Sequence, residues 1–309
     1  MILVCGIPSE SPVELVLAAA ARQNVDVGLF NQRRCATASI DVDIDGHGVP
    51  HGRLALAQDT VDLDDVTGVY LRTMDHRHLP ELSALPVHHR DRIHADDLHA
   101  DLVAWTEVTS ALVFNRCSAM ASNGSKPYQA QLIQAAGFRV PRTLVTNDPA
   151  AVREFRDELR GEIIFKSASG ARSIVRRFEE DDLSRLNAIR WCPTQFQELI
   201  VGFDVRVHVV DRTVFAVRAT SDAVDYRYAQ SEAGAAAHLE PYELDPVWAD
   251  ACVRLAHQLG LPLAGIDLKI TPEREVVCFE VNPSPGFSFY ENHTGQPISD
   301  AIVRSLAAA

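Results

Sequence analysis

Short apolar runs and amphipathic stretches alternate along the first third of the chain. Strands are predicted from the apolar runs ILVCG, VDVGLF and VTGVYLRT, and a helix is predicted from SPVELVLAAAARQ between the first two. The start of this helix is marked by Ser11 as N-cap, Pro12 at the first helical position and Glu14 as capping-box partner. A long polar helix is predicted from about His88 to Leu112. Strand, helix and strand at this spacing predict a βαβ unit with a parallel sheet.

The remaining chain alternates in the same way. A helix is predicted from SKPYQAQLIQAAGF, and the predicted strands EIIFK and SIVRRF surround a short loop of small residues. Hairpins are predicted from VRVHVV with TVFAVRAT, about Asp211-Arg212, and from AGIDLKI with VVCFEVN. We therefore expect an α/β fold with α+β lobes: an N-terminal α/β domain over 1–115, a central lobe over 116–200 and a C-terminal lobe over 201–309.

Composition restricts the class of protein. The 309 residues are 47% hydrophobic and 23% charged, as in ordinary globular proteins. A net charge of −13 argues against non-specific nucleic-acid binding and against docking on anionic membranes. No apolar run approaches the about 18 residues of a membrane span, and no basic flank of a signal peptide is present. The six cysteines lack CxxC spacing and are typical of buried, reduced thiols, so we expect a cytoplasmic protein.

The last predicted hairpin carries the most specific chemistry. Asp267 and Lys269 share one face of the first strand, and Glu280 shares a face of the second strand with Cys278 and Asn282. With the turn centred on residues 273 and 274, Asp267 lies opposite Glu280, and two facing carboxylates repel unless a cation lies between them. Two carboxylates and an amide oxygen suit Mg²⁺. The solvated face of an edge hairpin is the alternative interpretation.

The residues after Asn282 favour the metal interpretation. Pro283 and Pro285 cannot donate to a sheet ladder, and Gly286 permits a sharp turn. The acid and the amide therefore lie where a strand is forced to stop, which is where ligands are placed in α/β sites.

Two lysines stand where an anion is favoured. Lys126 lies at a helix start, and Lys166 ends the strand EIIFK before a small-residue loop that contains Ser169 and Gly170. Such a loop can close over phosphates, although it lacks the GxxxxGK pattern of a Walker loop. Each lysine taken alone fits an ordinary exposed end of a strand or helix better than a phosphate ligand.

Further candidate binding residues lie in a predicted linker strand and in the hairpin that follows it. Arg206 and Arg218 suit bidentate recognition of carboxylate or phosphate, although exposed hairpin arginines are common. A linker strand between lobes, able to bind a nucleobase edge, is expected at Gln197, Glu198, Leu199 and Ile200.

Three further features have a weaker claim to function. Six histidines lie between residues 76 and 99, but His89, His94 and His99 are five apart and drift around a helix, so a solvated face is favoured over a zinc site. Arg72 and Asp75, which close the strand VTGVYLRT, are candidates for a substrate site. The aromatic residues of the segment 287–290 fit core packing better than a ligand platform.

Together these motifs resemble the ATP-grasp ligases. In order they read N-G-S-K-P, A-G-F-R-V-P-R-T-L-V-T, I-I-F-K, Q-E-L-I, D-V-R-V, A-G-I-D-L-K and C-F-E-V-N-P-S-P-G-F, across residues 115–309. Their order and spacing are similar to the branch that contains RimK-type glutamate ligases and the graspetide synthetases, which crosslink ribosomal peptides. The resemblance implies an ATP-grasp fold preceded by a Rossmann-like pre-ATP-grasp domain.

The resemblance implies a nucleotide site. Lys126 and Lys166 would hold the α- and β-phosphates of ATP, and the flap residues Ser169 and Gly170 would cover them. The flap has a single glycine where many relatives have more. The adenine hinge would comprise Gln197, Glu198, Leu199 and Ile200.

The resemblance also implies a metal site and a substrate side. Mg²⁺, as two ions, would be bound by Asp267, Glu280 and Asn282. Arg218 would meet the γ-phosphate or the acyl-phosphate, and Lys269 is a further catalytic candidate. Candidates for the substrate side are Asp204 and Arg206, which match the DxR of this branch.

By resemblance, the protein is expected to be a carboxylate–amine or carboxylate–hydroxyl ligase. ATP would phosphorylate a carboxylate to an acyl-phosphate, and an amine or hydroxyl would then displace phosphate. The expected partners are ATP and a carboxylate-bearing peptide or amino acid, in a homo-oligomer. A peptide-modifying enzyme is the first expectation; the alternatives are a small-molecule amino-acid or dipeptide ligase and an ATP-binding regulator without ligase activity.

Overall fold

The N-terminal part contains the predicted parallel sheet. The computed structural model describes residues 1–167, 175–220 and 238–309. The elements of this part are β1 (Ile2–Gly6), α1 (Ser11–Arg22), β2 (Val27–Asn31), β3 (Ser39–Ile44), β4 (Pro50–Ala55), β5 (Thr60–Asp62), β6 (Gly68–Arg72), α2 (Pro80–Ser83), α3 (Arg90–Val108) and β7 (Leu112–Phe114). Four strands pair in parallel in the order β2-β1-β6-β7, which confirms the βαβ prediction. A separate antiparallel sheet has the order β3-β4-β5.

Two helix starts differ from the expected positions. Helix α1 includes Ser11, and Glu10 occupies the cap without a side-chain hydrogen bond to the helix. Helix α3 is shorter than expected at both ends, and His89 caps its start by accepting a hydrogen bond from the N–H of Asp91 at 3.2 Å. Short 3-10 segments, which the periodicity did not predict, occupy Gln32–Thr37, Leu63–Asp65, His76–His78, Ala121–Gly124 and Glu180–Trp191.

The central part contains a small antiparallel sheet that packs against one α-helix and the 3-10 segment Glu180–Trp191. Its elements are α4 (Cys117–Met120), α5 (Lys126–Ala135), β8 (Thr143–Thr146), α6 (Pro149–Glu158), β9 (Ile163–Ser167), β10 (Arg176–Arg177) and β11 (Thr194–Glu198). The strand order is β10-β9-β11-β8. Phe155 of α6 packs with Phe165 and Phe196 of the sheet in one apolar core. Among the described residues of the predicted strand SIVRRF, Arg176 and Arg177 form β10, and its first residues, 173 and 174, lie outside the described part.

A second antiparallel sheet forms the C-terminal part. Its elements are β12 (Phe203–Val210), β13 (Thr213–Thr220), β14 (His238–Tyr242), α7 (Pro246–Gln258), β15 (Leu263–Ile270), β16 (Val276–Asn282), α8 (Phe287–Thr294) and α9 (Ile298–Ala307). The order is β14-β13-β12-β15-β16, which confirms both predicted hairpins. Within the described ranges, no helix has the length and apolar character needed to span a membrane.

One apolar core joins the N-terminal part to the C-terminal part. Val4 of β1 and Val16 of α1 share this core with Phe287 of α8 and Ile302 of α9. All four side chains are fully buried. The last two helices therefore pack on the first domain, although the chain reaches them only after the central sheet.

Helix α5 packs against the C-terminal sheet rather than the central one. Ile133 lies in the core that β12, β15 and β16 build with α7. The side chain of Gln129 donates to the carbonyl of Val281 at 2.8 Å and accepts from its N–H at 3.0 Å. The packing thus assigns α5 to the C-terminal sheet, whereas the sequence division at residue 116 grouped it with the central lobe.

The six cysteines are free thiols. Cys5 and Cys252 are buried, and burial raises the pKa of Cys252 to about 12 and that of Cys5 further still. Cys192 departs from the expected burial because it lies exposed at the end of the 3-10 segment Glu180–Trp191. Burial keeps most of these thiols protonated and chemically inert.

Phe287 and Phe289 of α8 test the shared core. Phe287 is fully buried and Phe289 is 49% exposed. We expect Phe287→Ala to lower the free energy of unfolding by about 3–5 kcal/mol, because it leaves a cavity between two domains. Phe289→Ala on the same helix should cost below about 1 kcal/mol. Urea denaturation of both variants measures this difference, and equal losses would contradict the shared core.

Candidate active site

A cleft lies between the central sheet and the C-terminal sheet. Its wall on the central side comprises Ile164, Lys166, Val175, Gln197, Leu199 and Ile200. Its wall on the C-terminal side comprises Asp204, Val205, Asp267, Leu268, Lys269, Phe279 and Glu280. Eight of the residues predicted for ATP, metal or substrate therefore line one cleft.

Strand alternation explains the central wall. Phe165 and Phe196 point into the apolar core under α6, so their neighbours on the same strands face the other way. Lys166 is next to Phe165, and Gln197 pairs with Ile164 across the sheet. The side of this sheet away from α6 is consequently polar at the end where β9 stops.

The two predicted carboxylates face each other on the floor of the cleft. Asp267 on β15 pairs directly with Glu280 on β16. A β-bulge shifts the register beside this pair, so that Leu268 is opposite Cys278 and Phe279 has no partner. Cys278 is thereby turned into the core under the sheet, which corrects its predicted place beside Glu280, and Phe279 enters the cleft instead.

Arg206 holds the first carboxylate. Its Nη1 lies 2.6 Å from Asp267 Oδ1, and its side chain is only 6% exposed. The guanidinium also lies over the ring of Tyr290, 5.8 Å from the centroid. Gly265 is needed beneath it, because an added Cβ would lie 2.7 Å from Arg206 Cζ and 2.8 Å from Pro285 Cβ.

Lysines hold the other two carboxylates. Lys126 Nζ, from the first turn of α5, lies 3.0 Å from Glu280 Oε2. Lys269 Nζ lies 3.1 Å from Asp204 Oδ1. The cleft floor thus alternates anions and cations supplied by α5, β12, β15 and β16.

Asn282 completes the predicted metal set. It lies two residues beyond Glu280 on β16, opposite Gly265, and its Oδ1 accepts a hydrogen bond from the N–H of Ser284 at 2.9 Å. Within the described ranges, no group of three His, Cys, Asp or Glu side chains is able to hold a metal ion. A metal in this cleft would therefore depend on an amide or on ligand oxygens in addition to the two carboxylates.

The donor set fits a magnesium nucleotide. Two facing carboxylates and an amide oxygen are ligands that Mg²⁺ prefers, and this ion usually takes its remaining ligands from phosphates and water. Lys166 lines the cleft and Lys126 contacts its residue Glu280, so two different elements supply cations where phosphate charge would be balanced. The residues that would hold Mg²⁺ are Asp267, Glu280 and Asn282, and the ion would neutralise phosphate charge there.

Three residues of the predicted adenine hinge line the cleft, and one turns its side chain away from it. Leu199 and Ile200 line the cleft, as does Gln197. The carboxylate of Glu198 is outside it, held by Arg139 at 2.5 Å and by the N–H of Arg142 at 3.1 Å. A nucleobase contact at this position would thus use the Glu198 backbone. The flap residues Ser169 and Gly170 lie outside the described part of the chain.

Arg218 does not reach the cleft. It pairs with Val205 across the hairpin, and paired residues share a face of the sheet. Val205 points into the core below the sheet, so Arg218 lies on that face too. Its guanidinium lies 4.5 Å from the centroid of Phe203, and Nη1 lies 3.7 Å from Glu240. This register corrects the expectation that Arg218 meets the γ-phosphate.

His208 was missed by the motif search. It lies two residues from Arg206 on the same strand face, is fully buried, and has no hydrogen-bond partner for either ring nitrogen among the described residues. Its ring lies 4.9 Å from that of Tyr290. Burial, with the positive charge of Arg206, holds the pKa of His208 well below its usual value. Its spacing of two residues from Arg206 could have predicted that His208 shares the strand face of Arg206.

The histidine cluster of the first domain is partly buried. His99 is 7% exposed, and its Nδ1 donates to the carbonyl of Ala95 at 2.7 Å. His76 stacks on it at 4.3 Å between centroids and lies 2.5 Å from Asp96. The expected solvated face is therefore wrong for His99, whose ring is needed for packing.

Comparison with known proteins establishes the family. Residues 124–306 match the family described as the RimK-like ATP-grasp domain, which is more than half of the chain. The chain belongs to this ATP-grasp family.

Curated relatives and solved structures extend this finding. A protein named "Probable alpha-L-glutamate ligase" from Xanthomonas oryzae pv. oryzae is 30% identical over 197 residues, 57% of this chain and 62% of that protein. The match therefore spans less than two thirds of this relative. The ATP-grasp ligase PsnB, solved with a phosphomimetic variant of its minimal precursor, Mg and ADP, is 29% identical, with a TM-score of 0.78 over 99% of this chain and 97% of PsnB.

A further solved structure confirms the fold over the whole chain. The RiPP-associated ATP-grasp ligase from Chryseobacterium gregarium has a TM-score of 0.81 at 21% identity, covering 99% of this chain and 96% of its own. The predicted ATP-grasp fold is confirmed, and the N-terminal parallel sheet is included in the match.

Gly265→Ala tests the geometry of Arg206. The added methyl group would displace the guanidinium from Asp267, and we expect ADP release to fall about 10²-fold, the cost of a displacement of about 1 Å at a reacting site. Gly46→Ala is the matched control, because no atom lies within 4 Å of an added Cβ there. Near-normal ADP release by Gly265→Ala would contradict the role of this contact.

His208 makes stability depend on pH. The unfolded chain binds a proton near pH 6.5 that the folded chain excludes, so stability falls as pH falls below about 6.5, by up to about 1.4 kcal/mol per pH unit. Burial also lowers the pKa of His99, which adds a contribution of the same sign. We expect His208→Gln to flatten the curve between about pH 5.5 and 6.5 in urea denaturation, leaving the His99 part. An unchanged slope would contradict a neutral, buried His208.

Proposed function

We propose that this protein is an ATP-dependent ligase that activates a carboxylate and joins it to an amine or hydroxyl. The facing pair Asp267 and Glu280, with Lys126 and Lys166 brought to the same cleft, carries the proposal. An ATP-binding regulator has no need of two opposed carboxylates, which repel each other unless cations offset the repulsion. The family match to ATP-grasp ligases supports the same conclusion.

The proposed reaction has two steps. A substrate carboxylate oxygen attacks the γ-phosphorus of ATP, the bond to the bridging oxygen breaks, and ADP leaves. An amine or hydroxyl then attacks the acyl carbon, phosphate leaves, and the nucleophile loses its proton. The chain contributes charge neutralisation and positioning: Lys126 and Lys166 at the phosphates, and Arg206 beside Asp267 at the end of the cleft. Lys269, held by Asp204, is a further cation on the substrate side.

A peptide is the proposed substrate class. PsnB, which matches this chain over nearly the full length of both proteins, has been solved with a minimal precursor and with a precursor peptide. The match includes the N-terminal domain, which the family match to residues 124–306 does not cover. The peptide would present a carboxylate to ATP and an amine or hydroxyl to the acyl-phosphate.

Glutamate ligation is the second candidate. The relatives named alpha-L-glutamate ligase align with 57% to 65% of this chain, and the family match to residues 124–306 is to the ATP-grasp region. That region would serve addition of an amino acid equally well, because its charged floor acts on the phosphates and on the acyl group. The two candidates differ in what the rest of the chain binds.

Peptide mass distinguishes these reactions. The purified full chain is incubated with Mg-ATP and any short acidic peptide that is encoded beside its gene, and ADP and peptide mass are measured. Loss of one water per bond is the expected result and establishes an internal ester or amide. Gain of an amino-acid residue, with glutamate present, would favour the glutamate-ligase type. ADP release stimulated only by free amino acids would favour a small-molecule ligase, and no ADP release under any of these conditions would overturn ligase activity.

A variant of Glu280 provides the test of the metal assignment. Glu280→Gln removes one of the two facing charges and should abolish ADP release while the unfolding midpoint stays within a few degrees. Glu273→Gln, at the exposed turn of the same hairpin, is the matched control and should retain normal turnover. Normal turnover by Glu280→Gln would contradict its role at the metal.

We also propose a cytoplasmic location and a homo-oligomer. The location is supported by the free thiols, which are typical of a reducing compartment. The homo-oligomer is supported by the family resemblance, and size-exclusion chromatography with light scattering would measure it.

A further inference from the structure

Arg72 connects the N-terminal sheet to the loop that follows the candidate metal ligands. It is the last residue of β6, at the carboxyl end of the parallel sheet. Its Nη1 donates to Ser284 Oγ and to the carbonyl of Pro285, both at 3.1 Å. The first domain thus contacts the loop directly after Asn282, across 212 positions of sequence.

The other side of the guanidinium is held by Glu10. Arg72 Nε and Nη2 both lie 2.8 Å from Glu10 Oε1, at the start of α1. The Arg72 side chain is only 15% exposed. A guanidinium is planar and presents donors in a fixed fork, so these contacts set the direction in which Nη1 points. A lysine has a single ammonium group and cannot reproduce both sides at once.

The base of this connection lies in the packed N-terminal sheet. β1 and β6 pair in register, with Gly6 beside Arg72, and Ile2, Val4 and Tyr70 of these strands share the core with α8 and α9. Asn115, directly after β7, donates to the carbonyls of Leu263 and Pro283 at 2.6 and 2.5 Å. The carbonyls of Pro283 and Pro285 are therefore both held by residues at the carboxyl edge of one N-terminal sheet.

The loop in turn orients Asn282. The N–H of Ser284 donates to Asn282 Oδ1, so the position of Ser284 determines the direction of the amide. Residues that orient a metal ligand from the next layer are worth about 10- to 100-fold in metal affinity. The contacts run without a gap from Glu10 through Arg72 and Ser284 to Asn282.

We propose that Arg72 is a positioning residue for the metal site. It holds the loop from Ser284 to Pro285 so that the amide of Asn282 faces the cleft in line with Glu280. The inference rests on the proposed function, because it needs Mg²⁺ at Asp267, Glu280 and Asn282. It assigns to the N-terminal domain a part in assembling the nucleotide site.

Binding of ADP at increasing Mg²⁺ concentration tests the proposal without turnover. Calorimetric titration of ADP into the full chain, in EDTA and then over a Mg²⁺ series, gives the Mg²⁺ concentration that half-saturates the tightening of ADP binding. In Arg72→Ala and Arg72→Lys we expect this concentration to rise about 10- to 100-fold, with ADP affinity in EDTA unchanged. Ser284→Ala, which leaves the Arg72–Glu10 pair intact, should raise it by a smaller factor and serves if Arg72→Ala fails to fold.

Arg22→Ala is the matched control. Arg22 also joins the first domain to the C-terminal part, through an ion pair of 2.8 Å with Asp300 of α9, away from the loop. Its Mg²⁺ dependence should equal that of the parent. If ADP binding by the parent depends on Mg²⁺ and none of Arg72→Ala, Arg72→Lys and Ser284→Ala changes that dependence, the positioning role of Arg72 is overturned. The metal assignment and the proposed function are unaffected by that result. A parent without Mg²⁺ dependence would overturn the metal assignment and this inference with it.

Discussion

The repulsion between Asp267 and Glu280 is the constraint on which the arrangement of the cleft depends. These carboxylates pair directly across β15 and β16, so each requires a compensating cation. Arg206 reaches one from β12, and Lys126 reaches the other from α5. Helix α5 is held to β16 by Gln129, and Arg206 lies in space that Gly265 leaves open. Apolar packing on one face of the C-terminal sheet and charge balance on the other face therefore both support the pair Asp267 and Glu280.

The cleft is bounded by two separately packed bodies. Its floor belongs to the C-terminal sheet, and its other wall belongs to the central sheet, whose core under α6 contains no residue from the C-terminal sheet among those described. The N-terminal sheet shares a core with α8 and α9 and is therefore packed with the C-terminal part, which supplies the floor of the cleft. The carboxyl ends of β6 and β7 consequently lie against the loop after β16, where Arg72 and Asn115 hold its carbonyls. The chain thus passes through the central sheet and the C-terminal sheet before α8 and α9 pack on the first domain.

Local periodicity predicted the part of the site that depends on one hairpin. The facing of Asp267 and Glu280 was predicted from strand alternation and the position of one turn, and the structure has that pairing. The β-bulge contributes to it, because the register of Leu268 with Cys278 nearer the turn would otherwise place Asp267 opposite Phe279. The same reasoning was available for Arg218: a two-residue turn at Asp211-Arg212 pairs it with Val205, which is a core position. The β-bulge that buries Cys278 was not predictable in this way, because an extra residue in one strand leaves no mark in the alternation.

The sequence by itself determined most of the strands and helices along the chain, both C-terminal hairpins and the family, because these follow from short-range periodicity and from motifs in a characteristic order. Only the tertiary structure decided which cation meets which carboxylate, that the carboxylate of Glu198 turns out of the cleft, and that Arg72 meets Ser284. These contacts join residues that are tens to hundreds of positions apart. Their formation depends on how the apolar cores bring separate elements together, and no local pattern in the chain records that packing.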